Sequence, residues 1–176
     1  MTDSELKLVT EQLLAGREAL LTALDSLSES HAAFKPSPEA WCILECLEHV
    51  AVAERKMLTM IERAEAGEAQ EASPLERDRT CIAKAADRER KFAAPISVIP
   101  KSRFATLEEA RREFLQSRER TLKFVEQSPP DLRERKMLHP IAGSIDAYRC
   151  LLLMAAHPLR HAAQILEIRN HAAFPR

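Results

Sequence analysis

The stretch "CLLLMAAHPLRHAAQILEIR", residues 150–169, decides how the chain folds. It is apolar on most sides through its middle, which predicts a helix buried around nearly its whole circumference. Such a helix needs other helices around it. Two histidines, His157 and His161, break the apolar run four residues apart. On an α-helix, residues so spaced differ by about 40° in rotation and about 6 Å in height, so their imidazoles can converge on one point.

The rest of the chain bounds what that point can serve. Its 176 residues suit one domain, taken as spanning residues 1–176, and a chain of this length needs no covalent staples to bury a core. Cys42, Cys46, Cys81 and Cys150 form no C-x-x-C pair, and the N-terminus lacks a basic start followed by an apolar run. Free thiols in a reducing cytoplasm are therefore expected. With 26 basic and 27 acidic residues spread along the chain, there is no basic footprint for nucleic acid. The longest apolar run, Cys150 to Ala156, falls far short of the roughly 20 residues needed to cross a bilayer. Only three glycines, with Ala, Leu, Glu and Arg dominant, point to an all-α protein.

Four helices can be placed. The first opens at Thr2, with Glu5 in capping-box register, and carries an apolar stripe through Leu6, Val9, Leu13, Leu20 and Leu24. The second is expected from about Pro38 to Ala66, capped by Ser37 and stopped by Gly67. The third starts at "TLEE", where Thr106 and Glu109 form a capping box, buries Leu107, Ala110, Phe114, Thr121 and Val125, and ends at "SPPD". The fourth begins near "GSIDAY", with Ser144 as cap, and runs to about Asn170. Short to medium connections suit antiparallel neighbours for helices one and two and for three and four. Residues 67–105 make one long crossover, which predicts parallel helices two and three. Within it, "LERDRTCIAKAADRERKF" fits either an extra helix or a mobile segment.

Helix two contributes "WCILECLEHVAVAE", with His49 at the margin of its apolar arc. If helices two and four touch, His49 meets His157 and His161, and three imidazoles are the ligand count of a catalytic metal site. The alternative is ordinary core or surface histidines. The tryptophan-led "WCILECLEHV", the "HPIAGS" before the last helix and the "HPLRHAAQILEIR" ending resemble the DinB-like (DinB/YfiT-like) superfamily over most of the chain. The resemblance implies a four-helix bundle whose second and fourth helices hold a divalent metal, usually nickel or zinc, through His49, His157 and His161. It also implies a small-molecule substrate and a low-molecular-weight thiol as co-substrate, as in related transferases and isomerases. Related bundles often pair, so a homodimer is among the expectations, although no long heptad requires one.

Around that centre, Glu45 lies one turn before His49 and could accept an imidazole N–H, act as a fourth ligand or serve as a base; the alternative is an exposed charge. Arg160 could hold a substrate anion and Gln164 could orient His161, or both could be solvated or packing side chains. The cysteines read as packing residues with no activating base, so any reacting thiol would be a small molecule. His31, His139 and His171 read as surface or loop residues, with His139 the one placed to overhang a pocket. Pro158 between the two histidines removes the donor to the Met154 carbonyl, so it either bends the fourth helix or starts a new one. The functional expectation is a metal-dependent enzyme, a thiol-dependent transferase or a hydrolase. Its alternative is a non-catalytic binding or dimerisation bundle with a vestigial site.

Overall fold

The computed structural model describes residues 1–68, 74–127 and 131–175. Its helices are α1 (Asp3–Ala23), α2 (Glu29–Ala33), α3 (Ile43–Glu62), α4 (Leu75–Ala86), α5 (Leu107–Glu126) and α6 (Ala147–Arg169). The long ones, α1, α3, α5 and α6, form a four-helix bundle.

Their boundaries follow from their caps. At α1 the Thr2 hydroxyl accepts from the Glu5 amide at 3.2 Å and the Glu5 carboxylate accepts from the Thr2 amide at 2.8 Å, the reciprocal box the sequence predicts. At α5 Thr106 accepts from the Glu109 amide, but the Glu109 carboxylate takes the Ala105 amide, one residue earlier than expected. Residues 128–130 of "SPPD" lie outside the described residues; α5 ends just before them.

Two starts differ from the expectation. The helix expected from Pro38 begins at Ile43, because Ser37–Ala40 close a turn and the box is built one turn later. There Cys42 is the cap, its sulfur accepting from the Glu45 amide at 3.5 Å while the Glu45 carboxylate accepts from the Cys42 amide at 2.8 Å. A thiol stands where a hydroxyl is usual. Helix α3 also stops at Glu62, short of Gly67, because Glu65–Ala66 form a strand, β1. The second difference is at α6, capped by Asp146 and not by Ser144. Ser144 lies in β3 (Gly143–Asp146), which pairs antiparallel with β2 (Arg135–His139), and β1 pairs with the far edge of β2. Gly143 allows the tight return, with φ of +73°. This small sheet is an addition to the helical architecture.

Bundle order departs from the reading of the loops. Helix α1 packs beside α6 and α5, and α3 beside α6 and α5, so α1 and α3 face each other across a diagonal, as do α5 and α6. The connection of residues 24–42 contains α2 and is long enough to cross the end of the bundle, and residues 127–146 hold the hairpin. Adjacency of α3 and α5 agrees with the crossover reading, and they run parallel: Ile43–Ala51 share a core cluster with Leu107–Phe114, and Val52–Ile61 share the other with Val125. Inside the crossover, "LERDRTCIAKAADRERKF" supplies α4, which lies against α6.

The core is divided. One apolar cluster gathers Leu8–Leu13, Val52–Ile61, Val125 and Ala147–Ala156; the other gathers Leu20–Leu24, Ile43–Ala51, Leu107–Phe114 and Ala162–Ile168. Between them lies a polar waist. Glu54 and Arg118 are each 1% exposed, and Arg118 donates to the Glu54 carboxylate at 2.8 Å and to the Leu13 carbonyl at 2.7 Å. Breaking one side of such a buried pair costs about 3–5 kcal/mol, because the other charge is left uncompensated. At the same level Gly16 lets α1 approach α6. A Cβ there would stand 2.8 Å from the Ala155 carbonyl oxygen, one turn from Pro158.

Candidate metal centre

Antiparallel packing of α3 on α6 at this waist brings the three histidines together. The Nε2 atoms of His49 and His161 each lie 3.1 Å from Nε2 of His157. One ligand atom from each residue falls within 4.8 Å of the others. Helix α6 runs unbroken through Pro158, so the proline does not start a new helix and the pair keeps its helical spacing.

The outer ring nitrogens decide where the protons sit. His49 Nδ1 lies 2.9 Å from the Val98 carbonyl, which can only accept, so this nitrogen carries the hydrogen. His161 Nδ1 lies 3.0 Å from the Gln164 amide oxygen. That oxygen is fixed as an oxygen because Arg88 donates to it at 3.3 Å, and Arg88 is itself held by both oxygens of Glu167. His161 therefore also donates from Nδ1. Both Nε2 atoms are bare lone pairs turned inward.

Burial drives all three pKa values below the ordinary imidazole range, and neighbouring positive groups push His157 and His161 further down. His157 is thus neutral with a single ring proton. Placed on Nε2, that proton satisfies one of its two neighbours; placed on Nδ1, which is buried with no partner among the described residues, it leaves three lone pairs converging. In the first case one inward lone pair lacks a donor and in the second all three converge, and a divalent cation satisfies them together. The 3.1 Å separations compare with about 3.3 Å between nitrogens at a tetrahedral zinc with bonds of 2.0–2.1 Å. The donor set fits a divalent metal.

The other expected site residues do not join the cluster of imidazoles. Both oxygens of Glu45 are engaged, one by the Cys42 amide and one by Lys35 at 2.9 Å, and no histidine is among its partners. It is a capping residue in an ion pair, because the position that faces His49 on a helical wheel is here in the first turn. Arg160 lines the cleft over the histidines, donates to the carbonyls of Asp87 and Arg90 and stacks over Phe92, so it pins the segment after α4. Gln164 does orient His161. His139, in the hairpin, lines the cleft above the centre, while its Nδ1 accepts from the Ile141 and Ala142 amides.

Sequence reasoning missed Val98, Arg88 and Glu48. Glu48 is buried and accepts from the Lys101 and Arg103 amides, which holds the loop that presents Val98 to His49. Trp41 covers the centre, its ring 4.9 Å from His49 and stacked on His161 at 6.5 Å. A cleft of about 1510 Å³ opens over the histidines between α3, α4, α6 and the hairpin.

A four-helix bundle with a three-histidine cluster at its waist is thereby defined. The family model of the DinB superfamily matches residues 12–165, and the chain belongs to that superfamily. Three solved structures share the fold. A conserved protein from Enterococcus faecalis superposes with a TM-score of 0.65 at 14% identity, covering 96% of each chain. YfiT from Bacillus subtilis, described as a probable metal-dependent hydrolase with an unusual four-helix bundle topology, gives 0.63 at 13% identity, covering 99% of this chain and 91% of its own. TT2238, described as a four-helix bundle protein, gives 0.61 at 19% identity, covering 92% and 98%. No curated protein matches the chain in sequence. Among the described residues no helix is long and apolar enough to cross a membrane.

Proposed function

We propose that His49, His157 and His161 hold a divalent ion, zinc or nickel, and that the protein is a metal-dependent enzyme acting on a small molecule, as a hydrolase or a thiol-dependent transferase. The observation that carries this reading is the inward convergence of three Nε2 atoms, two of which are fixed as bare lone pairs by partners on their outer nitrogens. Membership of the DinB superfamily and the description of YfiT support it. Bound there, the ion would act as a Lewis acid and lower the pKa of a water or thiol in an open position.

The protein's own contribution is positioning. Val98 and Gln164 hold two imidazoles in the ligating tautomer, and Trp41 shields one side of the cluster from water. No carboxylate joins the three imidazoles in the cluster among the described residues.

Elemental analysis of protein purified without a histidine tag tests the proposal. One equivalent of zinc or nickel is expected, and His49→Ala, His157→Ala and His161→Ala should each weaken metal affinity at least about tenfold. Full stoichiometric metal in all three variants would place the ion elsewhere, and none in the parent protein would favour a non-catalytic binding or dimerisation bundle.

A further inference from the structure

The cleft continues well past the histidines, and its far end carries positive charge from three helices. Lys56 follows His49 by seven residues and Arg149 precedes His157 by eight. At 1.5 Å per residue each stands about 10–12 Å along its helix from the centre. Helices α3 and α6 are antiparallel, so both displacements point the same way. Helix α4 lies parallel to α6: Asp78 near its start accepts from the Tyr148 hydroxyl at 2.8 Å, and Arg88 just past its end reaches Gln164. That register sets Lys84 beside the α6 turn that approaches His157, so it stands nearer the histidines than Lys56 and Arg149 do. Cys81 stands among these charges: burial raises its thiol pKa, Arg149 and Lys84 lower it, and the buried carboxylates of Asp78 and Asp146 beneath the cleft raise it.

Lys56, Lys84 and Arg149 all line the cleft, and among the described residues none of the three makes a side-chain hydrogen bond or ion pair. The carboxylates lining the cleft lie level with the histidines or beyond them: Glu39 before Trp41, Asp87 after α4, and Glu167 bound to Arg88. Between the histidines and the three cations the floor is apolar, formed by Ala53, Met57 and Leu153. Cations without an ion-pair partner in a cleft with low-dielectric walls focus the field and concentrate anions there, and an arginine adds a planar fork matched to carboxylate or phosphate.

We propose that the cleft binds an elongated molecule whose anionic head group, a carboxylate or phosphate, is held by Lys56, Lys84 and Arg149 while its opposite end reaches the three histidines. This deepens the reading above and rests on it only for the second contact. The apolar floor takes the middle of the molecule.

Titration calorimetry with the full chain tests the proposal in two arms. In the first, zinc-loaded protein is titrated with 8-mercaptooctanoate and with neutral 8-mercaptooctanol. The acid should bind at least tenfold more tightly, with a preference that shrinks as salt screens it. Lys84→Ala combined with Arg149→Ala should remove the preference, whereas Arg149→Lys should keep most of it and shows that the fold tolerates the position. In the second arm, chelator-treated protein is titrated with the same two thiols and with octanoate, octyl phosphate and octanol. A preference for either anion over the alcohol, lost in the double variant, supports the cationic end without reference to metal. Equal affinities for acid and alcohol, or a preference that survives the double variant, would overturn the proposal. Thiol ligands that bind no better with zinc than without it would instead remove the metal reading and leave the second arm to decide.

Discussion

At His161 the ring proton has one place to go, and the residue that holds it there is Gln164. The amide could present oxygen or nitrogen to the ring; Arg88, bound to Glu167, selects the oxygen. Gln164→Leu keeps the volume and removes the acceptor, so the ring is free to rotate or change tautomer. Metal affinity should fall about tenfold to a hundredfold, as for other lost outer partners of ligating histidines. Competition with a chromophoric chelator measures it, and an unchanged affinity would mean that packing alone orients His161. The histidines themselves were legible from their i, i+4 spacing and their place on apolar arcs. Their outer partners were less so. Val98 acts through its carbonyl, which every residue type possesses, so no side-chain identity could signal it.

Among the elements, α1 and α6 meet closely where Gly16 faces the proline-containing turn. Gly16→Ala would drive a methyl against the Ala155 carbonyl oxygen at 2.8 Å, which backbone alone can relieve. The variant should lose about 1–3 kcal/mol of stability, the usual cost of overpacking, and a displaced α6 should also loosen metal at His157. Urea melts with and without metal check both effects; parent-like melts would show that the two helices part without strain. Element starts were readable where side chains carried the signal, as at Thr2 and Thr106. The start of α3 was hidden because its cap is a thiol, and β3 was hidden because "GSID" also satisfies the pattern of a capped helix start. Helix order around the bundle was legible only for the parallel pair α3 and α5 that the long crossover implied, since loop length elsewhere limits reach without choosing between a lateral and a diagonal neighbour.

For the whole molecule, the buried imidazoles tie stability to pH. In the unfolded chain they titrate near 6.5, whereas in the folded, metal-free protein burial holds all three lower. Between those values the unfolded chain binds more protons, so stability rises with pH. The contribution is complete above about pH 6.5 and is lost progressively as the pH falls toward the folded values. Metal at the centre should move the onset of acid unfolding to lower pH. Denaturation midpoints from pH 7.5 to 4.5, for metal-free and metal-loaded protein, test this, and coincident curves would separate the histidines from acid stability.

The polar waist sets how cooperative the fold can be. Two apolar clusters communicate through a layer whose buried polar groups must be matched to each other, so each half can exchange amide hydrogens with its own opening free energy. The histidines belong to that layer, and an ion joining α3 to α6 there would penalise any opening that separates those helices while leaving frayed ends untouched. Protection measured by hydrogen exchange should therefore rise on metal addition along the middle turns of α3 and α6 in both halves together. Protection confined to one cluster would show that the two halves open independently of the centre between them.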